Sequence, residues 1–536
     1  MKEQSSTKAV LILSISGILV KLLSLVYVPL LSGIIGSQGF GIYNSTYQVF
    51  TWLYAVTNVG MQPAIAKLVA ELDEKGNPRD ALKAFKITRA LLLAVGFTST
   101  LLMIILAKPI SELTNNPRSV YSLMMLAPTI TITSGLVSYR GYFQGRNIIT
   151  PIGISQILEQ LINVVVSLLF AYILLNSFGL EMGVAGATIG TSLGALVAVV
   201  YLIYIYQVNK YFKIPSGKQL EHRRHSTKYL LKKVIMYGLP ITMSTGLQNF
   251  GALIDTANVR GRLETAGFLI DKIDTLSGYL GQYQTLSNVP LVFITAIGTI
   301  TLPVISRALI NRDNDRIKES ISFAFKVSFI ITIPAAVGLM LLSRTAFGII
   351  YPGDPGGYKL LFFGSFITVL MGLIQLQATI LQSLNKFYPV IVTLLIGIVV
   401  KILVNYILIV NPDINIYGAI IGGYAGYGIT ALLNIRVLRK TIRRKVPYVS
   451  LLSGPLAASG VMGIGVYLTN KYILLLGGTS PSIKLYGLSM ILSIIVGVAF
   501  YAFALILMGS VTKEEIKRIS PRLYNKIPKV IRRRMR

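Results

Sequence analysis

Apolar residues fill this chain in long runs separated by short polar segments. Runs long enough to cross a bilayer, roughly 20 apolar residues each, recur near residues 9–36, 40–69, 87–107, 119–143, 150–175, 183–207, 229–256, 279–306, 320–343, 358–383, 388–410, 416–437, 448–470 and 485–510. They predict an all-α, polytopic membrane protein of about fourteen transmembrane helices. The first run, Ala9 to Gly36, is too long for a signal-peptide core, and no A-x-A-like site follows it, so it reads as a retained span.

The polar segments alternate in kind. Loop 70–86 carries Lys75, Arg79, Lys83 and Lys86, and loop 208–228 carries Lys210, Lys213, Lys218, Arg223, Arg224 and Lys228. Loop 307–319 carries Arg307, Arg312, Arg316 and Lys318, loop 438–447 carries Arg439, Lys440, Arg443, Arg444 and Lys445, and the chain ends KVIRRRMR. In between, 36–40 has no Lys or Arg, 176–182 has only Glu181 as a charge, and 411–415 only Asp413. The positive-inside rule therefore puts both termini and every basic loop on the cytoplasmic face. The net charge of +31 is then mostly topology plus attraction to anionic lipid headgroups, not a nucleic-acid surface.

The two halves repeat. GMQPAIAKLVAELD (60–73) matches TITLPVISRALINRD (299–313), pairing Pro63 with Pro303 and Lys67 with Arg307. AFK at 84–86 recurs at 324–326, YFQGRNIITP (142–151) matches ILQSLNKFYP (380–389), and GATIGTSLG (186–194) matches GAIIGGYAG (418–426). Six spans per copy make the repeat parallel, an arrangement in which a transporter holds its substrate between two lobes. The expected organisation is an N-terminal lobe at 1–210, a cytoplasmic linker at 211–228 and a C-terminal lobe at 229–445. Two extra spans at 446–510 and a basic cytoplasmic tail at 511–536 complete it. The glycines at 186, 190, 194 and at 418, 422, 426 predict close helix packing within each lobe. Pro63, Pro128, Pro240, Pro290 and Pro334 mark bends or breaks in spans.

Composition agrees: 53% of residues are hydrophobic, 13% charged and none is cysteine, which excludes disulfides and thiol chemistry. The histidines, His222 and His225, fall in the linker and read as solvated loop residues, so no metal site is expected. No phosphate-binding GxxxxGK[ST] loop and no nucleophile–base pair at useful spacing is present, so an enzyme is not expected. The informative residues are charges at depth. Lys21, Glu159 and Lys401 lie inside spans, where each costs ~2.5–3.5 kcal/mol unless it faces protein or water. With Pro151 aligned to Pro389, Glu159 falls on Gly397 and Asn163 on Lys401, residues four apart on one helix face. Two readings stay open. Glu159 is neutralised by a basic neighbour in its own lobe, or these residues line a net-cationic cavity suited to a diphosphate. Arg140 and Arg146 either gather such a headgroup or serve as ordinary anchors. The outer loop 257–278, RGRLETAGFLIDKID in its centre, is mixed in sign and predicts a short surface helix. Asp255, Arg260 and Arg262 stand at the outer mouth of the seventh span.

The segments YRGYFQGRNIITPIGISQILEQL, PAIAKLVAELDEKGN and GTITLPVISRALINRDN, in a six-plus-six-plus-two arrangement, resemble the multidrug/oligosaccharidyl-lipid/polysaccharide exporter superfamily. The closer resemblance is to its branch of stage V sporulation protein B and Gram-positive lipid II flippases. That resemblance implies flipping of undecaprenyl-diphosphate-linked oligosaccharide across the cytoplasmic membrane by alternating access. It also implies a cavity lined by the first, second, seventh and eighth spans, with a lipid groove made by the last two. Cavity candidates are Lys21, Tyr27, Asn249, Asp255, Arg260, Thr285 and Asn288, with Glu159, Asn163, Lys401 and Arg140 as intramembrane support. Tyr27, Thr285 and Asn288 stand where Gram-negative-type flippases carry charges; Lys21 keeps one. No cofactor is expected; the drive would be the membrane potential or a coupled ion. Expected partners are the lipid-linked sugar, anionic lipids and cell-wall synthesis proteins. A drug or metabolite antiporter on the same fold, and a non-transporting scaffold for wall synthesis, are the alternatives.

Overall fold

The structure is a computed structural model that describes residues 6–211, 224–311, 313–384, 386–442, 446–476 and 482–509. Lys213, Lys218, His222, Arg223, Arg312, Arg443, Arg444, Lys445 and the basic tail lie outside them. The described residues are helical, with no strand among them. They form two compact units, Met1–Gly278 and Tyr279–Arg536.

The first unit runs through α1 (Ser6–Tyr54), a π-helical turn (Ala55–Val59), α2 (Met61–Glu74), α3 (Pro78–Ile105), α4 (Ala107–Leu113), α5 (Val120–Leu126), α6 (Pro128–Gly145), α7 (Thr150–Phe178), α8 (Leu180–Val208) and α9 (Thr227–Thr265). The next helix, α10 (Ile270–Asn288), begins in the first unit and ends in the second. The second unit continues with α11 (Leu291–Ile310), α12 (Asn314–Leu341), α13 (Ser343–Ile350), α14 (Tyr358–Gly364), α15 (Ile367–Ser383), α16 (Phe387–Leu408), α17 (Tyr417–Ile442), α18 (Tyr448–Leu475) and α19 (Ile483–Leu507).

Each apolar run of the sequence lands on one helix or on a broken pair. α1 carries the first span and the start of the second, turning at Gly36, whose φ of 68° favours glycine. Polar caps start the helices where the runs begin. Asn77 accepts from the Asp80 amide at α3, and Asp313 accepts from the Arg316 amide at α12. Pro128 opens α6, and Pro290 separates α10 from α11, as expected of a residue without an N–H; Pro240 and Pro334 stay inside α9 and α12. Among the described residues ten helical stretches are long and apolar enough to cross a membrane, α1–α2 counting as one, and the bent pair Pro355–Gly364 and Ile367–Ser383 makes an eleventh. α9 and α10, of 39 and 19 residues, are not among them. These two are long helices with too much polarity to face lipid throughout.

The duplication shows in the order of elements. α3, α4, a 3₁₀ turn at Pro117–Ser119, α5, α6, α7 and α8 are matched by α12, α13, a 3₁₀ turn at Pro355–Gly357, α14, α15, α16 and α17. It also shows atom by atom in each unit. On α8, a Cβ added to Gly186, Gly190 or Gly194 would strike the α7 backbone or side chains at Phe170, at Asn163 and Ser167, and at Glu159. On α17, one added to Gly422 or Gly426 would strike Asn405 and Lys401, or Gly397 and Lys401, of α16. The glycine stripes therefore do what their spacing predicts: they bring one helix pair into backbone contact in each unit. They also fix the register that pairs Glu159 with Gly397 and Asn163 with Lys401.

Two expectations change. The outer loop 257–278 is not a separate surface helix. α9 continues to Thr265 and α10 starts at Ile270, because Arg260 and Asp274 pair across the turn. The seventh span, expected to open the C-terminal lobe, packs as α9 on α1, α2 and α3 and belongs to the first unit. Gly60 faces Gly238 there, and a Cβ on Gly60 would overlap the Gly238 carbonyl and Thr242. Apolar cores fill both units, around Leu68, Phe85, Tyr142 and Leu202 in the first and Ile321, Phe325, Ile380 and Leu438 in the second.

Candidate functional site

The carboxylate buried in an apolar run has a partner. Arg140 of α6 reaches Glu159 of α7 with Nη2 to Oε2 at 2.7 Å, and its Nε donates to the Ser155 hydroxyl at 3.0 Å. Arg140 is buried and Glu159 partly so. The pair neutralises both charges and joins α6 to α7. One turn on, the Asn163 Oδ1 accepts from Ser167 at 3.0 Å and Thr191 at 3.4 Å. The Tyr47 hydroxyl bonds to Thr191, the Tyr43 and Tyr47 rings are 4.6 Å apart, and the Tyr27 and Tyr43 hydroxyls are 3.1 Å apart. A chain of hydroxyls thus runs from the first span to α7 and α8. Tyr27, expected to line a cavity, is instead packed inside this unit with its hydroxyl on Tyr43, because that phenol needs a partner once buried. Lys21, two turns nearer the N-terminus, is exposed, and no ion pair engages it among the described residues.

Neither arginine once considered for gathering a headgroup is free to do so. Arg140 holds Glu159, and Arg146 sits 2.9 Å from Asp73 with its guanidinium over the Tyr142 ring. The Asn249 amide of α9 donates back to the Thr245 carbonyl of its own helix at 2.8 Å, and Asp255 is buried. In the second unit Lys401 lies over the Tyr427 ring at 5.6 Å, the Thr285 hydroxyl donates to the Gly281 carbonyl at 2.9 Å, and Asn288 is exposed.

At the end of the first unit away from the basic loops, Arg260 is not an exposed mouth residue. It is 1% exposed and pairs through Nη2 with Asp274 Oδ1 at 2.6 Å, while its Nε donates to the Asn115 carbonyl at 2.8 Å. Arg118 lies 3.3 Å from the other Asp274 oxygen, 2.6 Å from Asp271 and 3.9 Å from Glu181. Gln38, in the corner after Gly36, donates to Asp271 at 2.8 Å. Burial raises the Asp274 carboxyl pKa, with Arg260 and Arg118 pulling it back; burial likewise lowers Arg260, with Asp274 opposing. Sequence reasoning missed Arg118, Asp271 and Asp274 as a group. Their only signal is mixed sign in a segment that should be loop.

The basic end is held differently. His225, expected to be solvated, donates its backbone N–H to Asp80 at 2.7 Å and places Nδ1 2.9 Å from the same oxygen. Asp80 is buried in the first turn of α3 and needs donors beyond its own cap, which accounts for the docking. Glu71 accepts from Tyr237 at 3.0 Å and lies 3.5 Å from Lys233.

Residues 6–309 match the profile of the polysaccharide biosynthesis protein family. The chain belongs to that family. Within it, the chain is 24% identical to stage V sporulation protein B of Bacillus subtilis (strain 168), over 97% of this chain and 98% of that one. It is also 24% identical to lipid II flippase MurJ of the same organism, over 80% of this chain and 81% of that one. A solved structure of lipid II flippase MurJ in an inward closed conformation superposes with a TM-score of 0.68, covering 92% of this chain and 98% of that one at 14% identity. This family member is therefore an integral membrane protein with the fold of that flippase structure.

Proposed function

We propose that the protein is a flippase or exporter of undecaprenyl-diphosphate-linked oligosaccharide, lipid II or a related polysaccharide precursor, and that it works by alternating access. The observation that carries this reading is the likeness, along almost the whole chain, to a sporulation protein and a lipid II flippase, joined to the polar helices α9 and α10. A helix too polar for lipid that is nonetheless long enough to span faces protein or a wet pathway. Lys21, exposed on the first span, supplies a cation to a diphosphate passing along that pathway. The basic loops support a cytoplasmic location for both termini in the cell membrane. The drive is the membrane potential or a coupled ion, with no cofactor, and the protein carries out no covalent step. Anionic lipids and cell-wall synthesis proteins are its proposed neighbours.

The antiporter reading asks for an uncompensated carboxylate to bind a cationic drug. Glu159 is ion-paired with Arg140, which favours the flippase. The test is rescue of a cell depleted of its lipid II flippase, with membrane levels checked by immunoblot. The wild-type chain and Lys21→Arg should rescue, and Lys21→Ala should not. Full rescue by Lys21→Ala at normal expression would refute the cationic-pathway mechanism.

A further inference from the structure

At the end of the first unit away from the basic loops, two kinds of contact converge on the start of α10. One is ionic. Asp274 is shared by Arg118 and Arg260, with Asp271 and Gln38 at the rim. The other is steric. A Cβ on Gly41 would overlap the Asp274 carbonyl, and one on Gly278 would overlap the Ser37 carbonyl. Backbone therefore lies on backbone between the Gly36 corner and α10. Asp274 and Arg260 are 0% and 1% exposed in their side chains, whereas Glu71 and Lys233, at the basic end of the same unit, are 30% and 23% exposed. Water competes for the second pair and not for the first.

We infer that the Asp274 network and the Gly41–Gly278 notch form a lock that holds the non-basic end shut at rest, so that release of α10 from the Gly36 corner is what opens that end. The inference rests on the transporter reading and names the contact that such a cycle must break. Asp274 is its centre. Without its charge, Arg260 is left buried with no carboxylate against it in the shut state, keeping only neutral acceptors such as the Asn115 carbonyl, and regains water when the end opens. The notch acts independently of charge. Ala at position 278 suits a helix better than Gly does, yet its methyl group fits only if α10 withdraws.

The test uses the full chain in native membranes. The chain has no cysteine of its own, so a Gln38→Cys/Asp271→Cys pair reports the lock alone. Asp271 is the exposed member of the network, and its replacement leaves Asp274 with both arginines. Copper-phenanthroline oxidation should crosslink most of the resting protein. Adding Asp274→Asn, or separately Gly278→Ala, should lower the crosslinked fraction at least about threefold at equal expression. A low crosslinked fraction in the parent pair, or an unchanged fraction in both variants, overturns the lock. Because crosslinking requires no substrate, those results are distinct from a failure of complementation, which would strike the flippase reading instead.

Discussion

Replacing Arg140 by Met removes one half of the buried pair and keeps most of the side-chain volume. At 2.7 Å and an effective dielectric of about 20, the gross attraction between the two charges is ~6 kcal/mol. Most of it is offset by the water each group gave up. The cost of stranding one partner of a buried pair is nonetheless typically ~3–5 kcal/mol. Glu159 keeps 29% of its side chain exposed, so the expected loss falls below that range or at its bottom, about 2–3 kcal/mol. Glu159→Gln should cost less, ~1–2 kcal/mol, because the amide oxygen can still accept from Arg140. The double change Arg140→Met/Glu159→Met removes both charges and should recover most of the Arg140→Met loss. Thermal midpoints of the purified protein, followed by fluorescence-detected size exclusion, give the order: wild type, then Glu159→Gln and the double variant, then Arg140→Met lowest. Arg140→Met as stable as wild type, or a double variant no more stable than Arg140→Met, would show that the pair does not neutralise Glu159.

Three further outcomes follow from the same geometry. Gly190→Ala should lower the thermal midpoint and membrane level, since its methyl group meets the α7 backbone at Asn163 and Ser167, an overpacking cost of ~1–3 kcal/mol; Gly422→Ala should do the same in the second unit, and wild-type stability in both would refute the register. Asp80→Ala should destabilise more than His225→Ala in the same thermal assay. The first change strands the His225 N–H and the Asn77 amide, the second removes only the ring's contacts with Asp80 and Tyr229. Single cysteines at Lys75 and Arg439 should react with an impermeant maleimide only in inside-out vesicles, and those at Gly179 and Asn411 only in intact cells; the reverse pattern would overturn the orientation.

Much of the fold was legible because each level of the sequence carried it separately. The apolar runs became helices, and the matching prolines and glycines became matching corners and packed pairs. Glu159 was legible too, since a carboxylate in an apolar run requires a partner, and Arg140 was among the few within reach. What stayed hidden depends on distant residues meeting. Arg118 and Asp274 are 156 residues apart in segments that look like ordinary loops, and only tertiary packing dries them. The docking of α9 on the first unit was hidden for a similar reason: Gly60 and Gly238 give no sign in the sequence that they face each other. Tyr27 misled because a phenol suits a wet cavity and a hydroxyl network equally well.

The two glycine stripes have a further consequence. Duplication left both helix pairs with the same mechanical joint, while the groups clasped by that joint diverged: Glu159, Asn163 and Ser167 on one side, Gly397, Lys401 and Asn405 on the other. One half holds a carboxylate already matched by an arginine, and the other holds a lysine in place of an amide. The halves are alike as machinery and unlike as sources of electric field. Exchanging α7 for α16 would preserve the joint and reverse the polarity around it.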